Sequence, residues 1–316
     1  MKKSEIDFGW GDPYFLLKIL DETYSQKLCP FNIASMSYAP DGGLEKLVNY
    51  TREVIFQTTG KKYKYILITN GATSAINCIL RLSKKRGFEA VLTTEYGYPY
   101  YENMIKKANM IRVKGLDKHT PLSAIRLIDS PSNPEGLQYI GGNCNKDIWD
   151  AVYHTKIYTE DTKTIPSHRY LVSSYSKTLG LTGARVGFVA TNDKDSYIEL
   201  ENESLMENAT ISIPSQELIV DILEKINLQL FINQGKMSLD YNKGEFQKIE
   251  YLFDNQPVQK NGMFYCAHAD KKAIRLIKKC GIKYVNIEDD YIRFSMGQTN
   301  ELVKKGIDRI LKGDNK

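Results

Sequence analysis

The sequence predicts an α/β fold, with a large domain built on a mostly parallel sheet flanked by helices and a smaller α+β domain toward the C-terminus. Three observations predict it. The apolar run Tyr65-Ile66-Leu67-Ile68-Thr69 leads through Asn70-Gly71-Ala72-Thr73 into a helix-like stretch from Ser74 to Lys85. Strand, glycine-containing turn and helix form the unit of a parallel sheet. Short runs rich in β-branched residues then recur at Ala90 to Thr93, Met110 to Val113, Ala124 to Asp129, Ile148 to Val152, Tyr170 to Ser173 and Val186 to Ala190. Length and composition favour buried strands, although runs this short are ambiguous. After Ala190 the pattern changes to longer helical stretches and then to strands.

Taken in order, residues 1 to about 35 carry little periodicity, with the turn-prone Gly9-Trp10-Gly11-Asp12-Pro13 near the start. Tyr38 to Gly43 reads as a loop, and Leu44 to Phe56 as an amphipathic helix with apolar residues at 44, 47, 48, 54 and 55. Beyond the sheet, helices are expected at Asp195 to Asn208, Ser215 to Gln229 and Ser238 to Phe253, the second helped by Pro214 in its first turn. Strands are expected at Asn261 to Cys266, Val285 to Ile287 and Tyr291 to Phe294. The expected division is an N-terminal arm (1–35) belonging to the small domain, a large domain (36–205) and a small domain (206–316).

Composition narrows the function. The 316 residues are 42% apolar and 26% charged, which fits a folded, soluble enzyme and not a disordered chain. The net charge of +5 (43 minus 38) is dispersed, and no basic stripe suggests nucleic acid. Five scattered cysteines imply neither a disulfide framework nor a metal site, and four scattered histidines likewise argue against metal. The first residues lack the apolar core of a signal peptide, and no run is long enough to span a bilayer. A cytoplasmic location is the default expectation, with no membrane partner.

The most informative stretch is Ser173-Ser174-Tyr175-Ser176-Lys177-Thr178-Leu179-Gly180-Leu181-Thr182-Gly183-Ala184-Arg185-Val186-Gly187-Phe188. One lysine stands among hydroxyls and glycines, with an arginine eight residues on (185 minus 177). A carbonyl cofactor with a phosphate tail needs this set: an amine for the aldehyde, hydroxyls and a guanidinium for the phosphate. Gly71-Ala72-Thr73 adds a second phosphate feature, small residues at a helix N-terminus where backbone N–H groups attract an anion. An N-cap alone would use the same geometry.

The run resembles the cofactor-lysine signature of the pyridoxal-phosphate (PLP) dependent aminotransferase class I/II superfamily, fold type I. That resemblance implies PLP as cofactor, bound as an aldimine to Lys177, with Ser174 and Arg185 on its phosphate. It implies Asp150, in Ile148-Trp149-Asp150-Ala151-Val152-Tyr153, as partner of the ring nitrogen, and Tyr153 and Asn133 as donors to the ring oxygen. By itself Asp150 also reads as a helix cap or a solvated loop carboxylate, and Asp129-Ser130-Pro131-Ser132-Asn133-Pro134-Glu135-Gly136 as a tight loop at a strand's C-terminal end. Glu95-Tyr96-Gly97-Tyr98-Pro99-Tyr100-Tyr101 resembles the loop supplying the stacking aromatic, with Tyr98 chosen and Tyr96 as the alternative. Surface packing is its plainer reading.

Tyr38 matches a tyrosine that reaches a neighbouring subunit's cofactor phosphate, which implies a homodimer. Gly9-Trp10-Gly11 resembles a segment that closes over substrate; Trp10 either lines the substrate pocket with Gly11 or is a core or interface tryptophan. Arg293, in Tyr291-Ile292-Arg293-Phe294-Ser295-Met296-Gly297, matches the arginine that grips the substrate carboxylate, with Asn133 beside it. Its alternative is an ion pair with Glu288, Asp289 or Asp290.

Within the superfamily, Ser-Pro-x-Asn-Pro-Glu-Gly followed by Trp149 to Tyr153 and Lys156-Ile157-Tyr158-Thr159 resembles the tryptophan aminotransferase and alliinase branch. The alliinases' cysteine-rich N-terminal module is missing, which weakens a carbon–sulfur lyase reading. Only 17 residues (150 minus 133) separate Asn133 from Asp150, and the link from Val113 to Ala124 is short, so crossover helices there should be trimmed or absent. The implied activity is amino transfer from an L-amino acid, guessed to be aromatic, to a 2-oxo acid. The alternative is another fold type I PLP enzyme: a β-eliminating lyase, a decarboxylase or a cyclising synthase. A catalytically idle sensor domain fits poorly, because every implied cofactor contact is filled.

Overall fold

The structure is a computed structural model that describes residues 5–24, 37–120, 122–139, 146–162, 165 and 168–314. Residues 1–4 and 25–35 of the expected arm lie outside the described residues.

The chain opens with β1 (Ile6–Asp7), α1 (Tyr14–Thr23) and α2 (Glu45–Thr59). β2 (Tyr65–Thr69) feeds directly into α3 (Gly71–Lys85), and β3 (Ala90–Thr93) is followed by α4 (Tyr101–Lys107). β4 (Ile111–Lys114), β5 (Ala124–Asp129), β6 (Ile148–Asp150) and β7 (Tyr170–Ser174) follow with no helix between them among the described residues. A single turn, α5 (Tyr175–Thr178), precedes β8 (Gly187–Thr191).

These strands form a seven-stranded sheet in the order β2-β8-β7-β6-β5-β3-β4. Only β8 runs antiparallel, to both β2 and β7. Both sheet faces are buried, which is why the strands read as continuous apolar runs. Ile66, Ile68, Trp149, Leu171, Phe188 and Ala190 enter one core, while Leu67, Ile148, Val172 and Val189 enter the other. The alternation has the two-residue period of a strand. Because β5, β6 and β7 are parallel, their C-terminal residues Asp129, Asp150 and Ser174 reach one edge, where antiparallel β8 begins beside Ser174 at Gly187. Ligands of such sheets bind outside that edge.

The C-terminal part comprises α6 (Lys194–Asn208), α7 (Ile213–Lys225), α8 (Leu228–Gln247), β9 (Phe264–His268), α9 (Lys271–Lys279), β10 (Ile282–Lys283), β11 (Val285–Glu288), β12 (Tyr291–Ser295) and α10 (Asn300–Asp314). β11, β12 and β9 make a three-stranded antiparallel sheet, and β1 pairs in parallel with β10. The expected helix from Ser215 to Gln229 is corrected here. It stops at Lys225, Ile226 is extended, and the Asn227 side chain accepts from Leu230 N to start α8. Asn227 is a strong cap residue, so a new helix begins where apolar periodicity alone runs on. That new helix takes in the expected stretch from Ser238 as far as Gln247, and Glu250–Phe253 forms a separate 3-10 turn.

Sequence patterning also left α1, α4, α9 and α10 unnoticed. α4 has only seven residues, too few for a periodicity to emerge. The arm near the start is well anchored. Phe8 is fully buried, its carbonyl accepts from Ser295 N at 2.6 Å, and its ring meets Phe246 edge-on at 5.5 Å. A Cβ on Gly306 would lie 2.5 Å from that ring. Phe8→Ala should therefore destabilise the fold by about 3–5 kcal/mol. Urea denaturation measures it, and a loss below about 1 kcal/mol would mean that the arm is not part of the core.

Candidate active site

Lys177 stands on the one-turn helix that follows β7. Ser174 caps that turn, its Oγ accepting from Ser176 N at 3.1 Å, and the Tyr158 hydroxyl donates to the Lys177 carbonyl at 2.8 Å. The amine itself donates to Gly11 O at 2.5 Å. Burial pulls its pKa down to about 8, with Arg185 and Arg293 pushing the same way and Asp12 opposing. A lysine in this state is a usable nucleophile and proton carrier near neutral pH.

One wall suits a phosphate. Gly71, with φ of 75°, starts α3, and the Arg185 guanidinium packs so closely that a Cβ on Gly71 would lie 2.8 Å from Nη2. Gly187 pairs with Thr69 on one side and Ser174 on the other, and a Cβ there would lie 2.5 Å from the Gly71 carbonyl carbon. Two glycines thus let β8 touch the start of a helix whose free N–H groups and dipole favour an anion. Ala72, Thr73, Ser174, Ser176 and Arg185 line the adjacent cavity of about 1210 Å³.

Two buried aspartates, Asp129 and Asp150, paired in register across β5 and β6, also line the cavity. Asp150 accepts from the Tyr101 hydroxyl at 2.7 Å and from Val152 N at 3.1 Å. Asp129 accepts from Thr94 Oγ1 at 2.5 Å and Asn133 N at 2.9 Å. Burial raises both carboxyls, Asp129 to about 7, while the hydrogen bonds counteract it. A carboxylate so placed can hold a ring nitrogen protonated. Tyr153, also buried, lines the same cavity.

At the mouth, Arg293 is 8% exposed and lies over the Phe264 ring at 4.3 Å. Its Nη1 donates to Asn133 Oδ1 at 3.3 Å and its Nη2 to Gly9 O at 3.0 Å. The acidic turn nearby pairs elsewhere, Glu288 with Lys114 and Asp290 with His268.

Lys177, Asp150, Tyr153, Ala72, Thr73, Tyr98, Asn133, Ser174, Arg185, Arg293, Trp10 and Gly11 all line the one cavity, and Gly71 lies directly behind it. Of the two candidate aromatics, Tyr98 faces it, whereas Tyr96 packs on Tyr291 at 5.3 Å. Trp10 lines the mouth while 67% exposed, which removes the core-residue alternative. Tyr38 is not brought into the cavity; it is 83% exposed at the surface. Tyr101, Asp129 and Phe264 were missed as site residues. The first two lie inside motifs that sequence reading had isolated, but nothing in their spacing says that they meet Asp150.

Residues 26–256, well over half of the chain, match the family described as Alliinase_C, allinase. The chain belongs to the allinase family. Among curated relatives of this allinase-family chain, an alliin lyase of Allium cepa var. aggregatum is 26% identical over 230 residues, covering 67% of this chain and 50% of the relative. The chain thus spans about half the length of that lyase. A (5-formylfuran-3-yl)methyl phosphate transaminase of Methanocaldococcus jannaschii is 26% identical, covering 82% of this chain and 79% of the relative. The crystal structure of an aromatic aminotransferase from Pyrococcus horikoshii OT3 superposes with a TM-score of 0.78 at 17% identity, over 98% of this chain and 95% of that one. The fold is fold type I of the PLP-dependent aminotransferase class I/II superfamily, and PLP is the cofactor of the allinase family and its aminotransferase kin.

Two expectations follow from this geometry. Because the Lys177 amine is protonated below its pKa and free above it, attachment of PLP to cofactor-free protein should speed up as pH rises and level off above about 8. Absorbance after mixing at a series of pH values follows this, and a rate still climbing toward the exposed-lysine value of 10.5 would contradict the burial of the amine. Gly187→Ala should force β8 from the α3 terminus, destabilising by about 1–3 kcal/mol. It should weaken binding of PLP far more than that of pyridoxal, measured by equilibrium dialysis.

Proposed function

We propose that this chain is a PLP-dependent aminotransferase that moves an amino group from an L-amino acid to a 2-oxo acid. The observation that carries the reading is the convergence of a buried amine, a glycine-cleared helix N-terminus beside Arg185, a buried carboxylate and an arginine without a carboxylate partner on one cavity. The residues present fit PLP. Gly71 and Gly187 keep the cradle clear of Cβ atoms, and Arg293 Nε is buried without a hydrogen-bond partner.

When bound, PLP supplies the aldehyde and the electron sink that makes a substrate Cα–H bond acidic. Lys177 would anchor the aldehyde and, once displaced, would accept and hold the substrate's Cα proton at Nζ. Gly71, Ala72, Thr73, Ser174 and Arg185 would hold the phosphate, and Tyr98 would cover the ring face. Asp150, kept oriented by Tyr101 and Val152 N, would hold a proton at the ring nitrogen. Tyr153 and Asn133 would donate to the ring oxygen. Arg293, with Asn133, would clamp the α-carboxylate so that the Cα–H bond stands perpendicular to the ring. Trp10 and Gly11 would close the mouth over substrate. An aromatic donor fits walls that include Trp10, Tyr98, Tyr153, Phe264 and Tyr284.

A carbon–sulfur lyase is the second reading, favoured by the similarity to alliin lyases. Both reactions begin with the same proton transfer at Cα, so the products decide. Incubating the PLP-loaded protein with each amino acid and a 2-oxo acid should yield a new amino acid by chromatography, and Lys177→Ala should abolish it. Release of ammonia and a 2-oxo acid from a sulfur-substituted amino acid, without amino transfer, would overturn the aminotransferase reading in favour of the lyase.

We also infer a homodimer in which the exposed Tyr38 reaches the neighbour's phosphate site. The division into an arm (1–35), a large domain (36–205) and a small domain (206–316) stands as part of the same reading. A cytoplasmic location accords with the absence, among the described residues, of a helix long and apolar enough to cross a membrane.

A further inference from the structure

Phe264 entered the sequence reading only as part of a strand, yet it touches three groups of the site. In the ladder of β12 and β9, Arg293 stands opposite Cys266 and Ser295 opposite Phe264, so Phe264 is the diagonal neighbour of Arg293 on the same face. The guanidinium carbon lies 4.3 Å from the ring centroid. Tyr153 meets the same ring edge-on at 5.9 Å and 75°. On a third side the ring tip lies 3.3 Å from where a Cβ on Gly11 would stand, and the Gly11 carbonyl is the one that receives the Lys177 amine. The ring is 2% exposed and lines the cavity.

The groups that bear on Arg293 include no carboxylate. Its hydrogen bonds go to an amide oxygen and a peptide carbonyl, and its Nε has no partner. Burial draws its pKa down, and the nearby ionisable groups that oppose this are Tyr153 and Cys266, neither of them a carboxylate. The negative face of an aromatic ring stabilises such a cation without neutralising it. A carboxylate in that place would occupy the fork that an incoming ligand needs.

We propose that Phe264 is a positioning residue that keeps Arg293 buried, oriented and without a counter-ion, so that the substrate α-carboxylate becomes its ion partner. Through Gly11 and Tyr153 the same ring sets the spacing between that carboxylate and Lys177. The inference rests on the aminotransferase reading, in which Arg293 receives the α-carboxylate.

A 3-arylpropionate, which carries the carboxylate but no reactive amine, serves as the probe, with affinity for the PLP-loaded protein measured by calorimetry. Phe264→Leu should weaken its binding about three- to thirty-fold, the span of a cation–π contact, and Phe264→Tyr should restore it. PLP affinity should stay within about two-fold of the parent, since no phosphate contact changes. In an Arg293→Lys background the Phe264→Leu effect should shrink, because the two residues act as a unit. Unchanged carboxylate binding in Phe264→Leu, or an equal loss in both backgrounds, would overturn the proposal while leaving the aminotransferase reading intact. If Arg293→Lys alone leaves the probe's affinity unchanged, the carboxylate role of Arg293 fails and the proposal with it. Phe264→Met, flexible and of similar volume without a π face, is read in the same way should the leucine variant not fold.

Discussion

Lys177, Arg185 and Arg293 face one cavity, and the rest of the structure is arranged to hold them there against mutual repulsion. The hydrogen bonds that hold them go to neutral groups. Gly11 O takes the amine, Thr182 O takes Arg185, and Gly9 O and Asn133 Oδ1 take Arg293. Neutral acceptors satisfy the donors without discharging them, so each cation stays available to an anionic ligand. Such a site destabilises the fold locally, and the doubly buried sheet behind it supplies the compensation.

The sheet does this through direction and register. Parallel β5, β6 and β7 bring Asp129, Asp150 and Ser174 to one edge, and antiparallel β8 starts at that edge with Gly187. A strand that turned back elsewhere would carry Arg185 away from the α3 terminus. Glycine at 71 and 187 removes the last obstacle, two side chains that would otherwise part strand and helix.

The second contribution comes from the N-terminal segment. Between the β1–β10 pairing and buried Phe15, the stretch from Gly9 to Asp12 passes over the cavity and lends two carbonyls to Arg293 and Lys177. Sequence reading placed Trp10 and Gly11 near substrate by resemblance alone. It had no means of showing that the Gly9 and Gly11 carbonyls make the polar contacts, because a carbonyl carries no residue-specific signal. α1 passed unnoticed for a related reason: no cap side chain announces it, since Pro13 precedes it without a side-chain hydrogen bond.

What the sequence by itself determined is local or is borne by a dense motif. The order of strands from Tyr65 to Ala190, the lysine run around Lys177, the asparagine turn and Asp150 all lie within short windows whose residue types constrain chemistry. Tertiary structure alone decided which of Tyr96 and Tyr98 faces the cavity, that Tyr101 holds Asp150, that Asp129 sits beside it, and that Phe264 underlies Arg293. The physical reason is distance along the chain. Contacts across 29 residues (293 minus 264) or 49 residues depend on strand register and helix packing, and a one-residue shift of register would turn Phe264 to the other face.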